Sequence, residues 1–337
     1  MEKLFCAALI FVVLPLSAGP FKHNFAWDWS VPHDAKFFDA MKELGFNIYV
    51  GMESGAELDK IYAETGKRGI EVYRVMEFKA NDFADCDQVI SDIDIKKVMV
   101  KSKKGKAYND QVGGEPVEKD DIFKNDMMCF NREEALKMAK KKVAELASDK
   151  KAAGVCFDWF GYRNYIACYC DICLEKETAF AKAHPELSPE QARAKFSEDS
   201  LVNFMNAVIA EGRRVNPAVK FTCHAYPYFK PNPLYGNKLN MEYPEQTVSW
   251  FFLPHWDLNK VREYTKVVVK DEKKYYKDGV GIPFLGIYAD ENKKSAARIA
   301  DEFKILREEG AEGVSVASFG EILKDPEMVR VFQENLK

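Results

Sequence analysis

Residues 154–173 read GVCFDWFGYRNYIACYCDIC, an apolar run that ends in a carboxylate and is followed by three closely spaced cysteines. The part GVCFDWF (154–160) has the length and the aromatic, apolar composition of a buried strand. A helical pattern precedes it at 132–147 (REEALKMAKKKVAELA), and another follows at 202–216 (VNFMNAVIAEGRRVN). A strand between two helices is typical of the alternating order that builds a parallel sheet.

The same alternation extends in both directions along the chain. Further strands are predicted at 23–29, 46–52, 70–78, 220–226, 247–252, 283–289 and 313–319, and amphipathic helical patterns separate them. Eight such strands predict an α/β protein with a (β/α)8 barrel, the TIM barrel, as a single domain over residues 19–337. The alternative is a doubly wound open sheet, which is less favoured because no glycine-rich phosphate-binding turn follows an early strand.

Composition and the first residues indicate an exported protein that does not bind nucleic acid. The 337 residues hold 49 Lys and Arg against 53 Asp and Glu, a net charge of −4, without the concentrated basic face that phosphate binding needs. The start, MEKLFCAALIFVVLPLSAG, has Lys3, then an apolar run over 4–16, then small residues. This pattern predicts a signal peptide over residues 1–18 and a secreted or periplasmic protein. The apolar run is shorter than the roughly 20 residues of a membrane span, although a retained anchor is the alternative.

The barrel prediction selects candidate site residues, because active sites in this fold lie at the carboxyl ends of the strands. The fourth and seventh strands lie across the mouth of an eight-stranded barrel, so we predict Asp158 and either Asp290 or Glu291 as a catalytic pair. The alternatives are an ion pair or backbone cap for Asp158 and a helix N-cap for Asp290. The predicted substrate-binding residues are polar and aromatic: Asp28, Trp29, Tyr162, Arg163, His224, Tyr226, Trp250, Trp256 and Tyr288.

Residues 100–127 are too many for an ordinary connection and predict a lid-like loop.

Seven cysteines follow the predicted signal peptide, and an odd number cannot pair completely into disulfides. Cys168, Cys170 and Cys173 have the spacing C-x-C-x2-C, and Cys129 precedes a helix in a polar segment. Four thiolates suit a tetrahedral, structural Zn²⁺ ion. The alternatives are a disulfide from Cys129 to one of the other three, or no bond among them. The remaining three lie in strand or helix patterns, where we expect inert buried thiols: Cys86, Cys156 and Cys223.

Residues 125–182 resemble the β-galactosidases of glycoside hydrolase family 42. The likeness lies in Cys129 before REEALKMAKKKVAEL and in CYCDIC followed by LEKETAF. The resemblance implies a structural zinc ion beside the active site of a glycoside hydrolase. Where that family ends the fourth strand with Asn-Glu, this chain has Phe157 and Asp158. Exported barrels similar to glycoside hydrolases pair an aspartate at this place with such a cluster, and other hydrolase clans place an aspartate nucleophile there.

Together these patterns predict an exported glycoside hydrolase that acts on a poly- or oligosaccharide. Two carboxylates cleave a glycosidic bond when they lie about 5–5.5 Å apart for retention or about 6.5–9.5 Å apart for inversion. The alternative is a barrel of glycosidase ancestry that binds glycans without cleaving them. The sequence contains no G-x-S-x-G, H-E-x-x-H or P-loop motif, so other hydrolytic chemistries are poorly supported.

Overall fold

A computed structural model describes residues 21–79, 87–91, 99–101, 107–109, 122–161, 168–225, 238–250, 255–271, 279–287 and 293–337. The predicted signal peptide and Cys86 lie outside these ranges. In the part of the chain that the structure covers, no helix has the length and apolar character that a bilayer crossing requires.

Eight parallel strands close into a barrel, which confirms the (β/α)8 prediction. Around the barrel the order is β1, β2, β3, β8, β9, β10, β11, β12 and back to β1, so an open sheet is excluded. In chain order the strands are β1 (His23–Trp27), β2 (Ile48–Gly51), β3 (Glu71–Glu77), β4 (Asp87–Ser91), β5 (Met99–Lys101), β6 (Ala107–Asn109), β7 (Ile122–Met128), β8 (Gly154–Asp158), β9 (Lys220–Ala225), β10 (Tyr243–Ser249), β11 (Ile282–Gly286) and β12 (Gly313–Ala317).

Helices surround the barrel and lie where the sequence pattern predicts them, with additional helices before 202 and after 318. They are α1 (Ala35–Leu44), α2 (Gly55–Arg68), α3 (Glu133–Ser148), α4 (Asp171–Ala183), α5 (Pro189–Val215), α6 (Leu258–Asp271), α7 (Ala296–Glu308), α8 (Phe319–Leu323) and α9 (Pro326–Leu336). Local sequence sets their ends. In α5, Ser188 and Gln191 form a reciprocal capping box, and α1 ends at Gly45, whose φ of 91° suits glycine.

The long connection between β3 and α3 contains strands where the sequence predicted a loop. β4 pairs with β7 and β5 pairs with β6, both in antiparallel register. Residues 100–101, 107–109 and 122–127 of the predicted lid-like loop therefore belong to strands, and the rest of the loop lies outside the described residues. A lid function for this segment stays a prediction.

The barrel interior is filled by side chains from strands that are not neighbours. The rings of Phe25, Tyr73 and Tyr243, from β1, β3 and β10, lie 5.6 to 6.5 Å apart and form one layer. Such strands can meet only inside the barrel, as in the layered cores of this fold. A second layer toward the carboxyl ends brings Trp27 within 5.7 Å of His224 and 6.3 Å of Phe284.

Candidate active site at the carboxyl ends of the strands

Asp158 is the last residue of β8, the fourth barrel strand, and only 5% of its surface is exposed. Its Oδ1 lies 4.0 Å from Nδ1 of His224, which comes from the neighbouring strand β9. Trp159 follows with a φ of 49°, a left-handed conformation that is rare for a bulky side chain. Backbone of this kind is concentrated at functional sites, where surrounding contacts hold it in place. The Lys79 ammonium lies 4.3 Å from the Trp159 ring centroid and is one such contact.

His224 lies in the interior beneath this position, with 2% of its surface exposed. Its Nε2 is 3.1 Å from Thr247 Oγ1, and its ring stacks on Phe284 at 3.7 Å. Burial lowers the pKa of His224 to about 3, so the imidazole is neutral at pH 7. The sequence predicted a substrate-binding residue here. The structure instead covers the ring and turns its Nδ1 toward Asp158.

Glu245 is a buried acid that the sequence analysis missed, with no exposed surface. It is the Cα partner of His224 in the β9–β10 register, and its Oε2 accepts a hydrogen bond of 3.0 Å from Trp27 Nε1. Burial raises the pKa of Glu245 to about 7, and the charge of Asp158 contributes to the rise. The strand was predicted to begin at Thr247, yet β10 begins at Tyr243. Residues 243, 245 and 247 alternate toward one face, which is the signal that would have indicated Glu245.

On the β1–β2 side of the mouth, Asp28 is a buried hydrogen-bond acceptor that links the residues after the first barrel strand to those after the last. Its carboxylate has no exposed surface and accepts hydrogen bonds from the backbone N–H groups of Ser30, Val31 and Gly320. The hydroxyl of Ser318, which follows β12, also donates to it. Although burial raises the pKa of Asp28, its hydrogen bonds, that of His33 above all, lower it to about 2. All these contacts are with protein groups, whereas the sequence predicted contact with substrate.

His33 lies between two acids at this rim. Its Nε2 is 3.4 Å from Asp28 Oδ1, and its Nδ1 is 2.7 Å from Glu53 Oε1, which also accepts a hydrogen bond from Tyr49. Burial lowers the pKa of His33, but the hydrogen bonds and charges of both acids raise it to about 9. The imidazolium is therefore charged at neutral pH, and this cluster holds the loop that carries Trp29.

The three predicted aromatic residues that the structure describes are one exposed ring and two buried ones. Trp29 follows β1 at the mouth and is 54% exposed, so a face of its ring is available to a ligand. Trp250 and Trp256 have 2% and 4% of their surface exposed and pack in the core. Trp256 also contacts Tyr264 at 4.7 Å and lies under the Lys260 ammonium at 3.8 Å. Their burial differs from the substrate contact that the sequence predicted for both.

Several predicted site residues lie outside the described residues. They are Tyr162, Arg163, Tyr226, Tyr288, Asp290 and Glu291. Of the catalytic pair, the structure thus locates Asp158 at the mouth, and the seventh-strand partner stays a prediction.

The four cysteines form a compact cluster beside the end of β8. Cys129 follows β7, and Cys168, Cys170 and Cys173 lie at the start of α4. All four are buried, and their sulfurs lie within 4.8 Å of one another. The sulfur of Cys129 is 3.7 Å from that of Cys170 and 3.4 Å from that of Cys173. A disulfide needs a sulfur–sulfur distance of about 2.05 Å, and none of these four cysteines is in a disulfide.

These distances suit a metal ion. A tetrahedral ion with metal–sulfur bonds of about 2.3 Å places its ligand sulfurs about 3.8 Å apart. Polar groups also surround the sulfurs: Asn131 Nδ2 donates to Cys173 at 3.4 Å, and the backbone N–H of Cys170 donates to Cys168 at 3.5 Å. Although burial lowers the pKa of Arg132, the neighbouring Cys170 and Cys129 raise it. Donors and a cation around thiolates are the outer contacts that stabilise a negatively charged metal–thiolate group.

No model of a known protein family matches the chain, and no curated protein matches it in sequence. Its fold is similar to that of the PgaB (BpsB) glycoside hydrolase domain from Bordetella bronchiseptica, at 10% identity and a TM-score of 0.61 over 94% of this chain and 99% of that one. It is also similar to the β-galactosidase from Bacillus circulans sp. alkalophilus (11% identity, TM-score 0.60, 93% of this chain and 56% of that one). A third similar structure is α-L-fucosidase isoenzyme 2 from Paenibacillus thiaminolyticus (12%, 0.52, 94% and 49%).

The chain spans about half the length of the β-galactosidase and of the fucosidase, and nearly all of the PgaB domain. At identities near 10% a likeness of this kind concerns the fold. The described structure is a (β/α)8 barrel of the type found in glycoside hydrolases.

Proposed function

We propose that the protein is an exported glycoside hydrolase that acts on a poly- or oligosaccharide, with Asp158 as one member of its catalytic pair. The observation that carries the proposal is the position of Asp158 at the carboxyl end of the fourth strand, in a barrel similar to glycoside hydrolases. Catalytic groups in this fold come from the ends of the strands. The proposed partner is Asp290 or Glu291, which follow β11, three positions from β8 around the barrel.

Glycosidic cleavage requires two carboxyl groups in different states. One donates a proton to the leaving oxygen, and the other acts on the opposite side of the bond as a base or a nucleophile. The surroundings of Asp158 hold its side chain in place, because it is buried, ends a strand and has a neutral imidazole 4.0 Å away. Water exclusion around such a carboxylate strengthens its electrostatic interaction with the positive charge that develops on the sugar ring.

Trp29 supplies the proposed sugar contact on the β1–β2 side of the mouth. An indole face buries the apolar C–H surface of a sugar ring while the hydroxyl groups stay hydrated. The exposed fraction of Trp29, 54%, leaves that face accessible, and the Asp28–His33 cluster fixes the loop below it. Contacts through Tyr162, Arg163, Tyr226 and Tyr288 stay predictions, as does one through His224, whose ring is covered.

The proposed cofactor is a structural Zn²⁺ ion held by Cys129, Cys168, Cys170 and Cys173. The fit rests on four buried sulfurs at metal–ligand spacing with N–H donors around them. Zinc with four thiolates has a closed coordination shell, so it supplies structural stability and does not activate water. These ligands tie the end of β7 to the start of α4 and so brace the segment that follows Asp158. We also propose that residues 1–18 direct export.

The deciding experiment is a screen of oligosaccharides and polysaccharides with the wild type and the D158N variant. Hydrolysis by the wild type, lost by at least about a thousandfold in D158N, is the expected result, because removal of a catalytic carboxylate costs several orders of magnitude. The matched control is D301N, since Asp301 is an exposed aspartate on α7. Equal turnover by D158N and D301N would remove Asp158 from the mechanism. Binding of a glycan without cleavage by the wild type would overturn the hydrolase proposal in favour of a glycan-binding barrel.

A further inference from the structure

Glu245 is a buried carboxyl group that the proposed mechanism does not use. Its side chain enters the barrel interior from β10 and has no exposed surface. Oε2 accepts a hydrogen bond from Trp27 Nε1 at 3.0 Å, and Oε1 lies 2.5 Å from Thr222 Oγ1. Both carboxyl oxygens therefore have a defined polar neighbour.

The hydroxyl group of Thr222 has two close oxygen neighbours but only one proton. Its Oγ1 is 2.5 Å from the backbone carbonyl oxygen of Tyr243 and 2.5 Å from Glu245 Oε1. Two oxygens at such a distance repel each other unless a proton lies between them. A carbonyl oxygen only accepts, so the Thr222 proton is directed to Tyr243. The proton in the second contact must then come from Glu245, which makes Glu245 a neutral carboxylic acid.

The surroundings of Glu245 agree with a neutral group. Burial raises its pKa to about 7 although the contacts with Ser315, Thr222 and Trp27 act to lower it, and the charge of Asp158 raises it further. Among the described residues, the titratable groups that face it are Asp158, Cys156, Cys223, His224, Tyr73 and Tyr243. Burial raises the pKa of these thiols and phenols and lowers that of His224 to about 3, so they are neutral at pH 7. Asp158 is thus the neighbour whose charge acts on Glu245.

We propose that Glu245 is a positioning residue of the Asp158 site that works as a neutral carboxylic acid, holding a proton against Thr222 so that Asp158 carries the negative charge of this part of the interior. Two neighbouring carboxyl groups in different environments take different protonation states, and this difference assigns their roles. Asp158 then acts as the ionised member of the catalytic pair, and the proton donor to the leaving oxygen is the carboxyl group from the seventh strand. This assignment of roles rests on the proposed hydrolase function, whereas the protonation state of Glu245 does not.

The E245Q variant tests the protonation state without any substrate. Glutamine reproduces the neutral acid, because its amide N–H donates to Thr222 and its oxygen accepts from Trp27. An acid whose pKa is raised by folding loses stability as the pH rises from its unfolded value to its folded value. We therefore expect wild type and E245Q to have nearly the same urea midpoint at about pH 4, below the ordinary glutamate pKa of 4.5, and E245Q to have the higher midpoint at about pH 8. A constant difference between the two proteins over this range overturns the proposal.

The matched control is E302Q. Glu302 is equally buried, but its Oε1 accepts a hydrogen bond of 2.7 Å from Arg298 Nε and its Oε2 lies 3.6 Å from Lys294 Nζ. E302Q removes a paired charge, so its urea midpoint is expected to fall below that of the wild type at both pH values. If E245Q does not fold, infrared spectroscopy of the wild type decides. A carboxylic acid C=O band that persists at about pH 6 supports a neutral buried acid, and its absence overturns the proposal, because ordinary carboxyl groups are ionised there.

The activity profile tests the link to Asp158 once a substrate is known. Because Glu245 is neutral in acid, E245Q is expected to leave the acid limb of kcat/KM within about 0.2 pH units of the wild type. If Glu245 were ionised, the variant would remove a negative charge beside Asp158 and shift that limb to lower pH by about half a unit or more. Such a shift overturns the proposal. If no glycan is cleaved, the hydrolase function fails, and the stability comparison still decides the state of Glu245.

Discussion

Substitution of His33 by glutamine is expected to remove a stabilising charge whose contribution depends on pH. The pKa of His33 rises from 6.5 to about 9 because Asp28 and Glu53 bind its ring, and at about 1.4 kcal/mol per pKa unit this rise corresponds to about 3.5 kcal/mol. The side chains of His33 and Asp28 are 10% and 0% exposed, so solvent screens the interaction little. The same contacts lower the pKa values of Asp28 and Glu53, and those shifts are not additional energy.

The direction in which this stabilisation changes with pH follows from proton linkage. A histidine with a raised folded pKa stabilises the protein fully below its unfolded pKa of 6.5, and this stabilisation is lost as the pH rises through 9. Urea denaturation of wild type and H33Q should therefore show a difference in unfolding free energy that shrinks by about 3 kcal/mol between about pH 6 and pH 10. Loss of packing in H33Q adds a deficit that is independent of pH.

The control for this comparison is H184Q. The His184 side chain is 36% exposed and pairs with Glu186, whose side chain is 64% exposed, so this pair is worth at most about 1 kcal/mol. The reasoning would be refuted by an H33Q deficit of the same size at both pH values.

Two further predictions concern the metal cluster and the exposed indole. The C173S variant should reduce bound zinc from about one equivalent to below about 0.2 and lower the thermal midpoint of unfolding. The C223S variant, with its change in β9 outside the cluster, should keep the metal. Elemental analysis that finds equal zinc in both variants contradicts the proposed site. W29A should raise KM about tenfold with kcat changed less than about threefold, because a stacking contact on a bound sugar is worth about 1.4 kcal/mol or less. A W29A variant with unchanged KM on the identified glycan would remove Trp29 from the binding surface.

The strands were predictable because parallel barrel strands are buried on both faces and read as short apolar runs. All eight runs correspond to observed strands, and Asp158 ends its strand as predicted. The start of β10 was not predictable in this way, because Pro244 and Glu245 argue against a strand by composition. Both residues are buried there. A polar residue in a barrel core depends on partners from distant strands, here Trp27 and Thr222, and no local pattern reveals them.

The sequence predicted individual residues of the site but not most of the contacts between them. Short spacing in one segment brought Cys168, Cys170 and Cys173 together, and the polar setting of Cys129 identified a fourth member that the structure places within reach. The contacts of His33 with Asp28 and Glu53 join two separate loops, and the charges of the three groups compensate one another only after folding. Burial changed the interpretation of His224, Trp250 and Trp256, because sequence shows that a residue lies near a strand end but not how much of it the neighbouring loops cover.

The seam between β1 and β12 has a consequence for how the chain is synthesised. Asp28 and Ser318, which meet across this seam, are 290 residues apart. Until the ribosome releases the last strand, the nascent polypeptide has an incomplete sheet with two unpaired edges, and such edges favour aggregation. Loop closure over so long a segment also slows folding. A chain truncated before residue 313 cannot close the ring, so premature termination yields a target for chaperones and proteases instead of a smaller working protein.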